Sequence, residues 1–133
     1  MRDKIYKAKR TDRDEWVYGY YVCLNEKSHR IYTGYAETDC GHYYPDFYEV
    51  VPETIGQYTG LVDKKDGMVF EGDIVKISGD LAGVYVCVWE EYNFEYEFDN
   101  KEMSFGLCCV HSDDIEVIGN IHDSKLEDFQ NGC

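Results

Sequence analysis

Two short clusters of cysteine and histidine contain the residues best suited to metal chemistry. Cys40 and His42 are separated by one residue, as are Cys109 and His111, and Cys108 directly precedes the second pair. Thiolate and imidazole are ligands that zinc prefers, so the two clusters could meet in one tetrahedral site. Neither spacing is that of a common zinc module. Reduced cysteines and exposed histidines that hold nothing are the simpler interpretation, and we predict no metal and no other cofactor.

The same cysteines are candidate nucleophiles. In an extended segment Cys109 and His111 would share a face, whereas Cys108 and Cys109 would point to opposite sides. A reactive thiol needs a nearby base or a positive field that lowers its pKa. A vicinal thiol in an acidic segment has the opposite surroundings. We therefore predict no catalytic residue and no enzymatic activity.

Glu71 and Asp73 flank Gly72 and could act as an acid–base pair or bind a cation. The alternative, which we favour, is that Gly72 and Asp73 fix a turn through local hydrogen bonds. The glycines of Gly56-Gln57-Tyr58-Thr59-Gly60 do not form a phosphate-binding loop, because no Gly-Lys-Ser ending and no helix pattern follow.

Charge restricts the class of partner. The formal net charge is −14. Residues 1–30 contain eight Lys/Arg and five Asp/Glu, while residues 31–133 contain five and twenty-two. Such a chain repels phosphate backbones, so we predict no direct nucleic-acid binding outside the basic N-terminal segment. The acidity either serves solubility alone, attracts a basic partner, or imitates the charge of nucleic acid.

Length and cysteine content point to a compact cytoplasmic protein. The 133 residues suffice for one domain or two small lobes. The N-terminus has no signal-peptide pattern, and no apolar run approaches the roughly 20 residues of a membrane span. In that compartment the six cysteines are expected to be free thiols. We predict no membrane association.

Short alternating segments separated by turns predict an antiparallel β fold. Strands are expected around Tyr6, from Trp16, around Tyr32 and from Phe47. A loop is predicted at residues 25–29 and a turn at residues 38–42. Gly19 indicates a bulge or a close backbone approach, and Pro45 is expected to end pairing nearby.

The second half is predicted to form a small barrel. Asp66-Gly67 is typical of a hairpin turn. Residues 84–89 are apolar on both faces and should lie centrally, while Phe94, Tyr96 and Phe98 make a one-sided strand. Ser124 and Glu127 have capping-box spacing, which predicts a short C-terminal helix. We place the division between residues 1–60 and 61–133.

Four segments in this order resemble the YopX-like proteins of bacteriophages and prophages: Trp16–Tyr20, Ile55–Leu61, Phe70–Val75 and Val117–Ile121. They span nearly the whole chain. The resemblance implies an antiparallel N-terminal β region, a C-terminal SH3-like barrel and a bacterial host. It implies no activity. The acidic aromatic segment 90–102 and Cys108-Cys109 depart from the family pattern.

Tyrosine is the most informative surface residue. Thirteen tyrosines exceed what a small core holds, and tyrosine favours interfaces because it combines a large ring with a polar tip. We predict a protein interface at two clusters; the alternative is that one face of each covers the core. The predicted interface residues are Tyr43, Tyr44, Phe47, Tyr48, Tyr92, Phe94 and Tyr96.

These observations favour a non-enzymatic binding module with an acidic, tyrosine-rich surface. The partner would be another protein, for which a basic surface is one candidate and a second copy of the chain another. The alternatives are a nucleic-acid charge mimic that inhibits a host DNA-binding protein, and a metal-binding protein that uses the cysteine and histidine clusters.

Overall fold

The computed structural model describes residues 5–91 and 95–123, apart from the side chain of Ala36. These residues form two antiparallel sheets and short 3-10 turns, without an α-helix in the described ranges. The prediction of a mainly β, antiparallel fold is confirmed. The predicted C-terminal helix from Ser124 lies outside the described residues. The chain divides into two compact units, residues 3–57 and 58–133.

The first unit is an antiparallel sheet in which each strand pairs with its neighbour in sequence. Strand β4 pairs with β3, β3 with β2 and β2 with β1, and β1 pairs with Gly56 and Gln57 of β5. A 3-10 turn at Pro52–Thr54 precedes β5. The strands are β1 (Tyr6–Lys9), β2 (Trp16–Asn25), β3 (Ser28–Glu37), β4 (Tyr43–Glu49) and β5 (Gly56–Val62).

One face of this sheet covers a small core. Ala8, Val17, Ile31 and Val50 are buried there, and Tyr6, Tyr21, Tyr48 and Ile55 pack around them. Val17 and Tyr21 project to this face because alternate residues of a strand share a side. The opposite face of β2 to β4 is left to solvent.

Two local predictions in this unit were wrong. The loop predicted at residues 25–29 is a tight turn, since β2 continues to Asn25 and β3 begins at Ser28. Pro45 does not end pairing: it lies inside β4, opposite Tyr35. Proline is tolerated because β4 is the terminal strand of the sheet order, where a missing N–H on the open side costs no ladder bond.

Gly19 makes the predicted close approach. A methyl group at this position would overlap the carbonyl oxygen of Tyr32 on β3. The absence of a side chain at Gly19 therefore allows β2 and β3 to approach at this point.

In the second unit the remainder of β5 pairs with β6 (Met68–Phe70), and the Asp66-Gly67 turn joins them as predicted. Asp66 has a φ of 64°, the left-handed conformation such turns need. A five-stranded sheet follows, in the order β10-β9-β8-β7-β11. Its strands are β7 (Asp73–Ile77), β8 (Gly83–Glu90), β9 (Glu95–Asp99), β10 (Ser104–Gly106) and β11 (Ile115–Asn120).

Strand β8 is central, as predicted, and is flanked by β7 and β9. The side chains on one face of the sheet form most of the main core of the unit. The other face buries Ile74 and Val86. The main core contains Val69, Val75, Ile77, Tyr85, Cys87, Tyr96, Phe98 and Ile115.

Strand β11 returns to pair with β7 after two 3-10 turns, Leu107–Cys109 and Ser112–Asp114. Within the described residues β10 and β11 are the two ends of this sheet, and the sheet is not closed. The coarse prediction of a second antiparallel β unit is thus confirmed, without the closed barrel.

Candidate binding surface

The candidate surface includes the exposed face of β2. Tyr18, Tyr20 and Val22 alternate with the core-facing residues of this strand and are exposed, and Leu24, at a register shift against β3, is also exposed. Tyr20 is the most exposed of the four, at 66%. Folding leaves this row of apolar groups in water.

Strands β3 and β4 extend the row sideways. Tyr20 lies opposite Tyr32, and Tyr32 lies opposite Phe47. The rings of Tyr32 and Phe47 are 5.2 Å apart. Residues directly opposite each other in neighbouring strands point to the same side of a sheet, so the three aromatic side chains form one line across the strands.

A β-bulge in β3 places Tyr35 on the same face of the sheet as Tyr32. The register of β3 against β4 shifts between Tyr32 and Gly34, so Thr33 is an extra residue. Tyr35, three residues after Tyr32, would otherwise point to the opposite side. With the bulge it lies opposite Pro45 on the face that carries Phe47, and it is 78% exposed.

We call this surface the aromatic face: Tyr18, Tyr20, Val22, Tyr32, Tyr35, Tyr43, Pro45 and Phe47. Single exposed apolar residues are common on protein surfaces. A contiguous group on one sheet face is less common, which makes this face the candidate site.

Arg30 is the cation at the centre of the aromatic face. Its guanidinium lies 4.2 Å from the centre of the Phe47 ring. Its Nε donates to Glu49 Oε1 at 2.9 Å, and its Nη1 donates to the Tyr32 hydroxyl at 3.3 Å. The bonds to Tyr32 and Glu49 raise the pKa of Arg30. Arg30 thus holds the two aromatic rings and the carboxylate in place.

A small slot opens on this face, with a volume of about 180 Å³. Small-molecule sites usually span about 300–1,000 Å³, so the slot has the size of a side chain. Its lining residues are Tyr20, Tyr32, Thr33, Gly34, Tyr35 and Pro45.

The structure separates the predicted interface residues. Tyr43, at 71% exposure, and Phe47 lie on the aromatic face, while Tyr44 is 49% exposed and points to the opposite side of β4. Tyr48 is half-buried against the core, with the Arg10 guanidinium 4.2 Å from its ring centre.

The prediction that Tyr96 lies at a protein interface was wrong. It is 6% exposed and belongs to the main core of the second unit, because alternation along β9 turns it inward with Phe98. Tyr92 and Phe94 lie outside the described residues. Tyr20 and Tyr35 were missed, although the alternation of tyrosines in β2 was visible in the sequence.

The candidate metal ligands lie in exposed positions. Cys40 and His42 belong to the turn between β3 and β4 in the first unit. Cys109 ends the 3-10 turn Leu107–Cys109 of the second unit, so the extended geometry predicted for it was wrong, whereas His111 has extended backbone and caps the next 3-10 turn. In the described ranges no three His, Cys, Asp or Glu residues are grouped as a metal site requires. Elemental analysis of the purified protein tests this independently.

Cys109 does not have the surroundings of a nucleophile. Partial desolvation and the neighbouring Cys108 raise its pKa. It borders a cavity of about 240 Å³ that also contacts Asp80 and Asp114. Carboxylates disfavour a thiolate, so this cavity lacks the positive field that cysteine catalysis needs.

The glycine-rich segments serve the fold. In Gly56–Leu61 the buried Thr59 hydroxyl donates to the Val69 carbonyl at 2.8 Å and accepts from the Leu61 N–H at 3.2 Å. Gly60 has a φ of 91° at the position where the β5–β6 register shifts. These residues form a β-bulge and present no catalytic group.

Asp73 has the predicted turn-fixing role. It is fully buried, and its Oδ2 accepts from the Phe70 N–H at 2.8 Å across Gly72, whose φ is 91°. Burial raises the pKa of the adjacent Glu71. The two carboxylates therefore differ in environment, and the geometry supports the structural role for Asp73.

All five cysteines in the described ranges are free thiols, as predicted; Cys133 lies outside them. None of the helices in the part of the chain that the structure describes has the length and apolar character needed to cross a membrane.

Comparison with known families agrees with the resemblance noted in the sequence. The family model described as YopX protein matches residues 5–126, which confirms that prediction. No curated protein matches the chain.

Proposed function

Because the chain belongs to the YopX family, we propose that it is a phage or prophage protein that acts in the bacterial cytoplasm by binding another protein, without enzymatic activity. The aromatic face is the proposed contact surface. The second unit would contribute most of the negative charge.

The observation that carries this proposal is the contiguity of the aromatic face. Tyr20, Tyr35 and Tyr43 are each about two-thirds exposed or more, and they lie on one side of three paired strands. Protein interfaces are enriched in tyrosine and arginine, and Arg30 lies among these rings. A rigid sheet loses little entropy when such a surface is covered.

The charge of the chain favours a basic partner. With a net charge of −14, long-range attraction would accelerate encounter with a positive surface. This contribution is screened by salt, because the Debye length falls to about 3 Å at 1 M ionic strength. A partner affinity that is unchanged from low to high salt would show that charge does not steer the encounter.

Affinity purification from host bacteria tests the proposed surface. Three baits would be compared. They are the wild-type chain, the double variant Tyr35→Asp/Tyr43→Asp, and the control Tyr44→Asp, whose substitution lies on the other side of β4. We expect a partner that is retained by wild type and by the control and is lost from the double variant. Equal retention by all three baits would contradict the assignment of the aromatic face.

A second copy of the chain is the alternative protein partner. It is favoured by the position of β4 at the end of the sheet order, where an edge strand can pair with another chain. Light scattering across a hundredfold range of concentration would detect a dimer. A monomer throughout would leave only a different protein as the partner.

Charge mimicry of nucleic acid is the second candidate function. Residues 58–133 contain seventeen Asp/Glu and five Lys/Arg. Glu95, Glu97 and Asp99 alternate with buried residues along β9, so their carboxylates follow one side at intervals of roughly 6.8 Å. A captured host protein that is displaced by duplex DNA would support mimicry, and one that resists displacement would oppose it.

We also propose that the second unit is an SH3-like barrel, as the resemblance implies. The support is its connectivity: a four-strand meander, two 3-10 turns, and a last strand that returns to β7. An experimental structure in which the sheet curls around Val75, Phe98 and Ile115 would support the barrel. A flat sheet with these side chains on an open face would contradict it.

A further inference from the structure

The slot on the aromatic face is formed by rings that only the bulge brings together. Tyr20 projects from β2, and Tyr32 and Tyr35 project from β3 on either side of Thr33. Pro45 lines it from β4. The slot has a side-chain-sized volume of about 180 Å³ and aromatic walls.

Three aromatic rings of the first unit, Trp16, Tyr48 and Phe47, are matched with cations of the chain itself. Lys7 and Lys9 place their Nζ atoms 4.8 and 5.6 Å from the centre of the Trp16 ring. Arg10 and Arg30 each lie 4.2 Å from a ring centre, those of Tyr48 and Phe47. These are cation–π distances, at which the negative face of the ring attracts positive charge.

Tyr20 and Tyr35 differ from those rings. Within residues 5–91 and 95–123, neither has a lysine or arginine stacked on it, and both are highly exposed. Residues 1–57, which contain the slot, hold eight Lys/Arg and ten Asp/Glu, and the whole chain has a net charge of −14. The ring faces and size of the slot, together with the negative charge of the chain as a whole, are complementary to the end of a Lys or Arg side chain.

We infer that this slot binds a lysine or arginine side chain of a basic protein partner. The inference rests on the proposed function and deepens it, because it assigns one contact within the aromatic face. Tyr20 and Tyr35 would supply ring faces to the cation, and Pro45 would pack against its methylene groups. Long-range charge would bring the partner close, and the slot would select the cationic residue.

Fluorescein-labelled nona-arginine is a suitable probe, with anisotropy measured at 0.15 M and 0.5 M NaCl. The variants are Tyr35→Leu and Tyr20→Leu, which keep apolar bulk but remove the ring, and Tyr35→Phe, which keeps the ring. Tyr44→Leu is the matched control, because Tyr44 is an exposed tyrosine on the other side of β4 and does not line the slot.

We expect Tyr35→Leu and Tyr20→Leu each to weaken nona-arginine binding about fivefold, the size of an exposed cation–π contact of about 1 kcal/mol. Tyr35→Phe and Tyr44→Leu should stay within twofold of wild type. The fivefold difference between wild type and the two slot variants should persist at 0.5 M NaCl, where long-range attraction is screened. The ring resonances of Tyr20 and Tyr35 should shift on titration, and those of Tyr44 should not.

Three results would overturn the inference. The first is wild-type affinity in both leucine variants, and the second is no binding of nona-arginine at all. The third is binding of nona-proline or oligo(dT) in preference to nona-arginine with the same dependence on Tyr35, which would assign the slot to a proline-rich peptide or to single-stranded nucleic acid. If the slot variants behave as wild type while Tyr35→Asp/Tyr43→Asp still loses the captured partner, the proposed function stands and only the slot assignment fails.

Discussion

The side-chain amide of Asn120 donates a 3.0 Å hydrogen bond to the buried carboxylate of Asp73. This bond joins the last residue of β11 to the first residue of β7, where the two strands also pair. Asn120 additionally accepts from the His122 N–H at 3.0 Å. The pair therefore anchors the return of the final strand to the start of the second unit.

Replacing Asn120 with alanine should destabilise the second unit by about 1.5–3 kcal/mol, the usual range for a hydrogen bond to a charged group. The Asp73 carboxylate would stay buried and lose a donor. Urea unfolding followed by tryptophan fluorescence measures the change. Lys76→Ala, exposed on β7, is the control and should stay within about 0.5 kcal/mol of wild type. Equal effects of the two substitutions would contradict an anchoring role.

The environment of the Asp63 carboxyl predicts that the protein loses stability in acid. Burial alone would raise the pKa of its carboxyl, but hydrogen bonds from the backbone N–H groups of Gly67, Val117 and Lys65 outweigh burial and lower it. A lowered pKa in the folded state stabilises the fold above the unfolded-state value of about 3.9, and this stability is lost as the pH falls through the folded-state pKa.

Asp63→Asn should therefore be less stable than wild type near neutral pH, and the gap should narrow below about pH 4. Thermal unfolding at a series of pH values measures it. The control is Asp66→Asn in the same turn, because Asp66 is exposed and asparagine tolerates its positive φ. A gap that is constant from pH 7 to pH 2 would show that ionisation of Asp63 is not linked to folding.

Thr59→Val should cost about 1–3 kcal/mol, because the Val69 carbonyl and the Leu61 N–H would lose their hydroxyl partner in a buried bulge. Thr59→Ser keeps the hydroxyl and should recover most of the loss. Chemical denaturation of the three proteins makes the comparison. A serine variant as unstable as the valine variant would show that the hydroxyl bonds do not account for the loss.

Gly19→Ala should destabilise the first unit by about 1–3 kcal/mol or more, as expected for overpacking against backbone. The added methyl group would overlap the Tyr32 carbonyl, and the β2–β3 pairing would have to shift. Amide hydrogen exchange in β2 and β3 should then accelerate. Gly106→Ala is the control: Gly106 has a φ of −69°, and an added Cβ meets no atom closer than 3.5 Å. Unchanged exchange in Gly19→Ala would contradict the close approach.

Cys87 should be protected from thiol reagents in the native protein. Burial raises the pKa of its thiol, and Asp73 and Glu71 raise it further. Cys23, Cys40, Cys108 and Cys109 are exposed and should react with Ellman's reagent without unfolding. Mass spectrometry after alkylation should find Cys87 modified only in denaturant. Modification of Cys87 at the rate of Cys23 would show that the core opens readily.

The sequence by itself determined the class of fold. Period-two alternation in β2 and β9 and the Asp66-Gly67 turn are local signals, so strand positions and antiparallel pairing followed from them. Asp73 likewise accepts from the N–H of Phe70, three residues earlier, across the positive φ of Gly72, so the turn-fixing role of these residues was predictable.

Tertiary structure alone decided which aromatic residues face solvent. Alternation predicts that Tyr96 and Phe98 share a side, but it does not say which side meets a core, and so Tyr96 was misassigned. Tyr32 and Tyr35 share a face only because Thr33 is unpaired against β4, and register depends on the partner strand. The aromatic slot is therefore a property of strand pairing, which no single segment of the sequence encodes.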